Sequence, residues 1–541
     1  MQGEGRSTAR ARRRGARDVA AAGALALLCG CNVGPRYDPP GMPAPPGFKE
    51  GAPGAFTRAP PGTWQPARPG DAVLKGKWWE IFREPELDAL ESQLDINNQT
   101  VAQYFQNFMA ARAQIDEARA GYFPTVSAAP SYNVTGLGSA SSGSFGGGPT
   151  GTTTTVGPTG SGATGVGTTG LAIGTQSYHV TSFFSLPLDV SWEPDLWGRI
   201  RNTVREYEYA AQVSAADLEN ERLTEQADLA AYYFELRGQD ALQEVYGRTI
   251  EADRHALELT RWLVVTGIDS QQAVAQAEVT LYDAEEAGIG VARNRAIYEH
   301  AIATLVGKPA SEFSLPVKVL STPVPAIPIG VPSELLQRRP DIAAAERTMA
   351  QANAAIGIAK AAYYPTVSLT GSGGLQSTSL ANLFSVPALV WSLGASATET
   401  IFDGGLRRAT VAQYEATYKA DVAAYKQTVL TAFQQVEDEL ATLRVVSQQI
   451  ERQEAGVRSA GRYLEIAMAL YQTGVDPYLD VITAQTTLLT NEQTEVTLRV
   501  TELAAAVQLV QALGGGWSVA ELPAASKIRS KEAAFQIQTT D

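Results

Sequence analysis

Two cysteines near the start of the chain are the only thiols in the sequence, and both lie in the stretch LLCGC. A thiol can accept an acyl chain, and the signal for this modification places a small residue directly before the cysteine. Gly30 precedes Cys31, whereas Leu28 precedes Cys29, so Cys31 is the predicted lipid attachment site and Cys29 leaves with the leader. The alternative is an ordinary signal peptide with incidental cysteines. If Cys31 is acylated, no thiol remains for redox chemistry, disulfides or metal binding.

Apart from this thiol, the sequence holds little that could catalyse a reaction. The three histidines, His179, His255 and His300, are scattered without metal-ligand spacing. GSGATG at residues 160–165 matches the formal pattern of a dinucleotide-binding loop, but no predicted strand precedes it and no helix follows it. Acids such as those at 437–439 fall on helical positions and indicate a solvated face. We therefore expect no enzymatic activity, no metal site and no cofactor beyond a covalent lipid on Cys31.

The leader, residues 1–30, predicts an exported protein. It contains six arginines against Glu4 and Asp18, followed by the apolar core VAAAGALALL. That core is too short to span a bilayer and suits a signal peptide. The net charge of −14 includes this basic leader, so the rest is more acidic and nucleic acid is not an expected partner. In bacterial lipoproteins generally, an asparagine after the acylated cysteine, here Asn32, goes with delivery to the outer membrane.

Prolines separate the segments that can form long helices from those that cannot. No proline occurs between Pro194 and Pro309, and only Pro477 occurs between Pro387 and Pro523. An interior proline costs a helix about 3 kcal/mol, so the two proline-poor segments are predicted to be helical.

These segments carry a duplicated phrase. TGIDSQQAVAQAEVTL begins at Thr266 and TGVDPYLDVITAQTTLL at Thr473, an offset of 207. Apolar residues spaced alternately by three and four positions run along the second copy, which indicates supercoiled helices joined by a tight turn. Each phrase therefore predicts the tip of an antiparallel hairpin, whose long arm extends about 100 Å at 1.5 Å per residue. The predicted helices span residues 199–265, 270–306 and 405–473, with a return helix that starts its seam at Leu479.

Shorter helices are predicted over residues 86–123 and 341–364, and strand-like sequence follows each of them. Phe184, Leu186 and Leu188 alternate with polar or small residues, and this period of two is typical of a half-buried strand or a strand of a membrane barrel. The Gly/Ser/Thr tract at 136–175 predicts a loop. Four strands cannot close a barrel, and open edges are not viable in lipid, so several copies are expected to share one barrel. The predicted strands span about 125–134, 178–192, 366–376 and 389–401.

Longer phrases of the sequence resemble a single family. The most specific is VPSELLQRRPDIAAAERTMAQANAAIGIAKAAYYPTVSL at 331–369, and LDVSWEPDLWGRIR, IFDGGLRR and WWEIFREPELDALESQ also match. The chain resembles outer-membrane efflux channels of the TolC/OprM type, in their lipoprotein (NodT-like) branch, over nearly its whole mature length. The resemblance implies an α+β fold in a homotrimer. Its transmembrane β-barrel would have twelve strands, four per chain, and would continue into a long periplasmic α-helical barrel of coiled-coil hairpins.

Repeat and resemblance together predict six segments. They are a lipoprotein signal peptide (1–30), an acyl anchor with a Pro-rich linker (31–77), a first repeat (78–307), an equatorial linker (308–339), a second repeat (340–514) and a C-terminal tail (515–541).

The resemblance also assigns a gate to the second hairpin tip. In the family, residues just after this turn constrict the periplasmic end with aliphatic and acidic side chains, and the matching positions are Leu479 and Thr483. The family commonly has Asp where this chain has Thr483, so Asp480 or Asp476 is the expected source of charge. An alternative makes Leu479 only the first residue of the coiled-coil seam.

Both exposed turns are the expected contacts for a periplasmic adaptor. The glycines there also suit the left-handed cap that ends a helix, and both roles can hold together. The predicted docking residues are Thr266, Gly267, Thr473, Gly474 and Val475.

The expected function is that of an outer-membrane channel in a tripartite efflux pump, a passive exit duct for drugs or other small molecules. An inner-membrane transporter of the RND class would drive it through the periplasmic adaptor, a membrane fusion protein. The alternatives are a duct for type I protein secretion, and a lipid-anchored structural coiled-coil protein of the periplasm without a pore. The expected location is the bacterial outer membrane, where the lipid-anchored chain contacts lipid and extends into the periplasm.

Overall fold

The structure is a computed structural model that describes residues 32–42, 44–50, 76–138, 178–327 and 332–524. It divides into two compact units. The β unit takes its described residues from Gly121–Leu196 and Tyr364–Ile401, and the helical unit takes its own from Gly30–Ala120, Trp197–Tyr363 and Phe402–Asp541. Each unit thus combines parts of both predicted repeats, because strands from the two halves pair in one sheet. The predicted signal peptide and Cys31 lie outside the described residues.

Long helices dominate the helical unit. A 3₁₀ helix at Trp78–Phe82 precedes the first α-helix. The α-helices of the described chain are α1 Pro85–Asn97, α2 Gln99–Ala120, α3 Arg199–Val265, α4 Gln271–Leu305, α5 Pro332–Arg338, α6 Pro340–Ala361, α7 Leu406–Gln472 and α8 Tyr478–Ala512.

The two hairpins have matched arms. Helices α3 and α7 both contain 67 residues, and α4 and α8 both contain 35. The long arms begin at 199 and 406 and the return arms at 271 and 478, so both pairs keep the offset of 207 seen in the sequence. Glycines with positive φ, Gly198 (82°) and Gly405 (94°), directly precede the long arms. Among the described helices, none has the length and hydropathy that crossing a bilayer requires.

One of the predicted helices is divided into two in the structure. The segment expected to be helical over 86–123 breaks at Asn98, where α1 ends and α2 begins. The Val101 amide donates to Asn98 Oδ1 at 2.9 Å, and Asn98 Nδ2 donates to the Leu305 carbonyl at 3.0 Å. Asn98 thus caps the start of α2 with its side chain, which is a strong preference of asparagine at this position.

The core of the helical unit surrounds a buried arginine. Arg237 in α3 is 2% exposed, and its guanidinium donates to Glu86 at 2.6 Å and to Asp240 at 2.7 Å. It also donates to the Pro316 carbonyl at 2.7 Å. Beside it, Phe234 packs against Phe82 with ring centroids 5.1 Å apart. These bonds hold the extended segment after α4, the predicted equatorial linker, against the middle of α3.

The β unit contains a single antiparallel sheet. Strand β3 lies beside β1 and β2 on one side and beside β4 on the other, and β4 pairs with β5. Its edges are therefore β1 with β2 at one side and β5 at the other. The strands are β1 Thr125–Ala128, β2 Ser131–Gly138, β3 Tyr178–Trp192, β4 Thr366–Ser377 and β5 Leu389–Thr398.

The pairing register separates an apolar face from a hydroxyl-rich face. Leu369 lies opposite Ala395, and Leu188 lies opposite Gly373, on the apolar side. On the other side Ser372 and Ser392 bring their hydroxyl oxygens to 2.9 Å, and Ser368 and Ser396 do so at 2.7 Å. The apolar side is as the sequence alternation predicts, with Phe184, Leu186 and Leu188 together. Its side chains are exposed in the single chain, Leu393 at 80%.

Five strands occur where the sequence analysis predicted four. The first predicted strand, 125–134, is interrupted between Ala128 and Ser131, and both pieces continue along β3. Pro130 lies in the interruption and has no amide hydrogen to donate to a neighbouring strand. The break leaves four rows of strand across the sheet.

Candidate functional site: the two hairpin tips

Each hairpin turn is closed by a glycine in the left-handed conformation. Gly267 has φ 80° and Gly474 has φ 73°. The Ile268 amide donates to the Leu263 carbonyl at 2.9 Å, and the Val475 amide donates to the Leu470 carbonyl at 3.0 Å. Each bond joins residues five positions apart and so encloses six residues, which is the 6→1 bond of a Schellman cap. The capping role of the two glycines is therefore confirmed.

The predicted docking residues all lie exposed on the turns. The Thr266 hydroxyl donates to the Leu263 carbonyl and the Thr473 hydroxyl to the Leu470 carbonyl, both at 2.9 Å. Their hydrogen-bonding capacity therefore serves mainly the helix ends. Val475 exposes 68% of its surface and is the most apolar feature of the second tip.

A tyrosine joins the two hairpins at their tips. Tyr471, near the end of α7, is 3% exposed. Its hydroxyl donates to Asp269 Oδ2 in the first turn at 2.7 Å and lies within 2.9 Å of Thr260 Oγ1 in α3. Burial, together with the nearby Asp269 carboxylate, raises the pKa of Tyr471 to about 12. The hydroxyl thus stays protonated and links one hairpin to the other.

The four predicted gate residues lie on the first turns of α8 and before it. Leu479 is 57% exposed, and Thr483 is exposed and donates its hydroxyl to the Leu479 carbonyl at 2.9 Å. Asp476 and Asp480 are half-buried. The Thr483 hydroxyl thus bonds within its own helix, and the position carries no charge where an aspartate would.

Leu479 is not among the buried residues of α8 in the single chain. At the tip, the buried residues of α8 are Tyr478 and Val481, with Ala484 next in register, and these pack against α3 and α4. The predicted seam holds farther along the helix, where Val500 and Leu503 are buried. The alternative that makes Leu479 the first residue of the coiled-coil seam therefore stays a prediction.

Several residues of this site were not singled out from the sequence. Tyr471 and Asp269 form the link between the hairpins, and the only sequence signal was an Asp in the same place of both duplicated phrases, Asp269 and Asp476. Asp253 and Gln485 lie buried along the groove between α4 and α8, and Tyr478 is buried at the start of α8. A polar residue in a helix has the same appearance in the sequence whether it is buried or exposed, so the periodicity did not identify these three.

The first described residues of the chain are fixed to the helical unit. Asn32 Oδ1 accepts a hydrogen bond from Asn202 Nδ2 at 2.9 Å, and the Val33 amide donates to the Trp197 carbonyl at 3.4 Å. Farther along, Asn353 Nδ2 donates to the Pro35 carbonyl at 3.1 Å. The residue that follows Cys31 is therefore held at the beginning of α3.

No group of three or more His, Cys, Asp or Glu side chains in the described ranges has the geometry of a metal site. Of the three histidines, His255 is exposed near Glu258, with 3.9 Å between Nδ1 and Oε2. The hairpin tips thus present hydrogen-bonding groups, apolar side chains and acidic side chains. Such groups can hold the two tips together or contact another protein.

Comparisons with known proteins agree with this architecture. The family described as outer membrane efflux protein matches residues 90–308 and 331–515. The solvent efflux pump outer membrane protein SrpC of Pseudomonas putida is 30% identical over 502 residues, which cover 92% of this chain and 98% of that protein. The outer membrane protein OprJ of Pseudomonas aeruginosa is 29% identical over 511 residues and covers 91% of this chain and 95% of its own length.

Solved structures have the same fold. The outer-membrane channel OprN superposes with a TM-score of 0.74 at 26% identity, over 90% of this chain and all of that one, 100%. The Campylobacter jejuni CmeC outer membrane channel superposes with a TM-score of 0.76 over 93% of this chain and 98% of that one, at 20% identity.

Proposed function

The chain belongs to the outer membrane efflux protein family and is the outer-membrane channel of a tripartite efflux pump, and we propose that three copies share one duct. One observation carries the proposal of a shared barrel: the sheet has two open edges, one apolar face and one face of hydroxyl groups. Open edges in lipid leave backbone amides and carbonyls without partners, each at a cost of several kcal/mol. Edge-to-edge pairing of three copies removes them.

In this assembly, the four rows of each sheet would give a barrel of twelve. The apolar face would contact outer-membrane lipid, and the face with Ser368 and Ser372 would line a water-filled lumen. Helices α3, α4, α7 and α8 would form the periplasmic part of the duct as coiled-coil hairpins. The matched lengths of the two hairpins support this arrangement, since staves of equal length can form a continuous wall.

We propose a duct without catalysis or cofactor. An inner-membrane transporter of the RND class would supply the energy, and a periplasmic adaptor would contact the tips at Thr266, Gly267, Thr473, Gly474 and Val475. Small molecules are the proposed cargo, because relatives are named for solvent, toluene or antibiotic efflux. Protein secretion remains the second candidate within this fold. The sheet with its apolar outer face speaks against a coiled-coil protein without a pore.

We further propose that Cys31 carries the lipid anchor. The contact of Asn32 with Asn202 supports this, because it places the neighbouring residue at a fixed point of the helical unit. Mass spectrometry of the mature protein should find an acylated N-terminal Cys31. Detection of a mature chain that starts elsewhere would overturn the assignment.

Closure at the periplasmic end is proposed for the start of α8. Leu479 and Thr483 are both exposed in one chain, so each is available to meet its copies around a threefold axis. Asp476 or Asp480 would supply acidic charge, which favours cations over anions in a narrow pore. Conductance of Leu479→Ala and Asp480→Ala in a planar bilayer tests this, and unchanged conductance in both would remove these residues from the constriction.

Disulfide mapping tests the shared barrel directly. One cysteine is introduced on β5 and one on β1 or β2, at a series of positions, and oxidation should give covalent dimers and trimers. Ser372→Cys with Ser392→Cys is the matched control, because these strands pair within one chain and should give an intrachain bond only. If no pair across the two edges forms an intermolecular bond, and the purified protein is a monomer, the proposal fails. Efflux itself is tested by drug susceptibility of a deletion strain with and without the gene restored.

A further inference from the structure

A groove of about 660 Å³ lies between α4 and α8, close to the hairpin tips. Helix α3 contributes to the same groove through residues such as Tyr246 and Asp253. Much of the lining is apolar, with Val279 from α4 and Ile482 and Leu489 from α8. Its volume falls within the range of about 300 to 1,000 Å³ that is usual for sites of small organic molecules.

Three buried polar side chains border this groove and lack partners. Asp253 is 1% exposed, Tyr478 is 2% exposed and Gln485 is 5% exposed. In the described part of the chain, neither carboxylate oxygen of Asp253, neither amide atom of Gln485 nor the Tyr478 hydroxyl makes a hydrogen bond. Asp253 and Gln485 line the groove directly, and burial together with the nearby Asp253 carboxylate raises the pKa of Tyr478. Native proteins rarely leave buried polar groups unsatisfied, so these three call for a partner from outside the chain.

The ionisable side chains that line the groove are all acidic, apart from the Tyr246 phenol. Asp253 at its floor and Asp283 at its rim are acidic, and the described residues that line it include no lysine or arginine. Burial raises the pKa of the Asp253 carboxyl to about 6, so the group is ionised at neutral pH and lacks a counter-charge. A cation with a hydrogen to donate would supply both.

We propose that this groove binds an amphiphilic organic cation, with its charged nitrogen at Asp253 and its apolar body against Val279, Ile482 and Leu489. Gln485, whose amide has no partner within the described chain, accepts or donates a second hydrogen bond to the ligand. An inorganic cation fits less well, since it needs several oxygen ligands and the walls here are mostly hydrocarbon. A passive duct needs no such site.

Binding is measured on the purified full-length protein in detergent, by the fluorescence anisotropy of rhodamine 6G as the cationic probe. Nile red serves as the uncharged probe of similar size. We expect the cationic probe to bind the wild type and to lose affinity by about tenfold or more in Asp253→Asn, while the affinity of the uncharged probe changes less than twofold. The matched control is Glu258→Gln, a change to an acid on the same helix whose side chain is 77% exposed; it should leave both affinities as they are.

A second variant tests the groove without touching its charge. Ala275 is exposed and lines the groove, so Ala275→Trp should fill it and weaken both probes. The melting temperature of each variant shows that it is folded. The inference is overturned if the wild type does not bind the cationic probe, if Asp253→Asn binds it as the wild type does, or if Ala275→Trp leaves both affinities unchanged.

Discussion

Replacing Tyr471 by phenylalanine removes the hydroxyl that hydrogen-bonds the two hairpin tips to each other and leaves the packing of the ring unchanged. In the native chain, the Tyr471 hydroxyl reaches Asp269 in the other hairpin at 2.7 Å and Thr260 at 2.9 Å. The ring keeps its place in Tyr471→Phe, because it packs against Tyr478 with centroids 5.2 Å apart. The change therefore isolates the contribution of this hydrogen bond.

Its size follows from the burial of the two partners. A hydrogen bond to a charged group contributes about 1.5 to 3 kcal/mol when it is buried. Asp269 is only half-buried, so solvent screens part of the interaction, and we expect about 1 to 2 kcal/mol. An equilibrium that separates the tips should then shift by a factor of about 5 to 30 in each copy.

Two measurements check this expectation. Thermal unfolding gives the loss of stability, and planar-bilayer recordings give the fraction of time that the channel conducts, which should rise in Tyr471→Phe. Tyr463→Phe is the matched control, since that ring is on the same helix and is 41% exposed. A double-mutant cycle with Asp269→Ala should give a coupling of at least about 0.5 kcal/mol. Additive effects of the two changes, or a Tyr471→Phe channel equal to the control, would refute the proposed link.

Three further outcomes are expected. The folded chain favours protonated Asp253, because burial raises the pKa of this carboxyl from 3.8 to about 6, and the stability that this protonation contributes is lost as pH rises through about 6. Near pH 8, Asp253→Asn should therefore melt at a higher temperature than the wild type and be more stable by up to about 3 kcal/mol. Near pH 4, most of this difference should be gone. Asn202→Ala removes the donor to Asn32 and should expose the N-terminal segment to limited proteolysis, whereas Asn32→Asp keeps an acceptor oxygen and should leave it protected. Gly267→Ala and Gly474→Ala place a side chain in the left-handed region and should each cost about 1 to 2 kcal/mol, measured by thermal unfolding.

The long helices were predictable from local chemistry. Helix α3 occupies 199–265, as predicted, and α7 occupies 406–472 against a predicted 405–473. Prolines and glycines fix these ends, because Gly198 and Gly405 precede the helices and Gly267 and Gly474 close them. Such signals act within a few residues of the chain, so a single sequence contains them in full. The two faces of the sheet were equally accessible, since a period of two assigns each residue to a face.

Features that depend on distant neighbours were not predictable. Near the second tip, Tyr478 and Val481 are buried in one cluster with residues of α3, α4 and α7, and the spacing of apolar residues from Leu479 onwards did not indicate this. The break at Asn98 depends partly on a bond to Leu305, 207 residues away. The burial of Asp253 depends on side chains from three helices. In each case the feature depends on contacts with residues that are distant in sequence, and the periodicity of the local sequence carries no information about those contacts.

The hydroxyl-rich face of the sheet has a consequence for what can pass along it. Asp189 is the one Asp, Glu, Lys or Arg residue in the five strands, and it lies on that face opposite Ser127 and Ser372. In the barrel proposed above, this face would offer transient hydrogen bonds to any polar solute and one fixed negative charge per chain. Discrimination by charge would then rest on Asp189 and on the acidic residues of the hairpin tips, whereas the serine and threonine side chains would treat polar solutes alike.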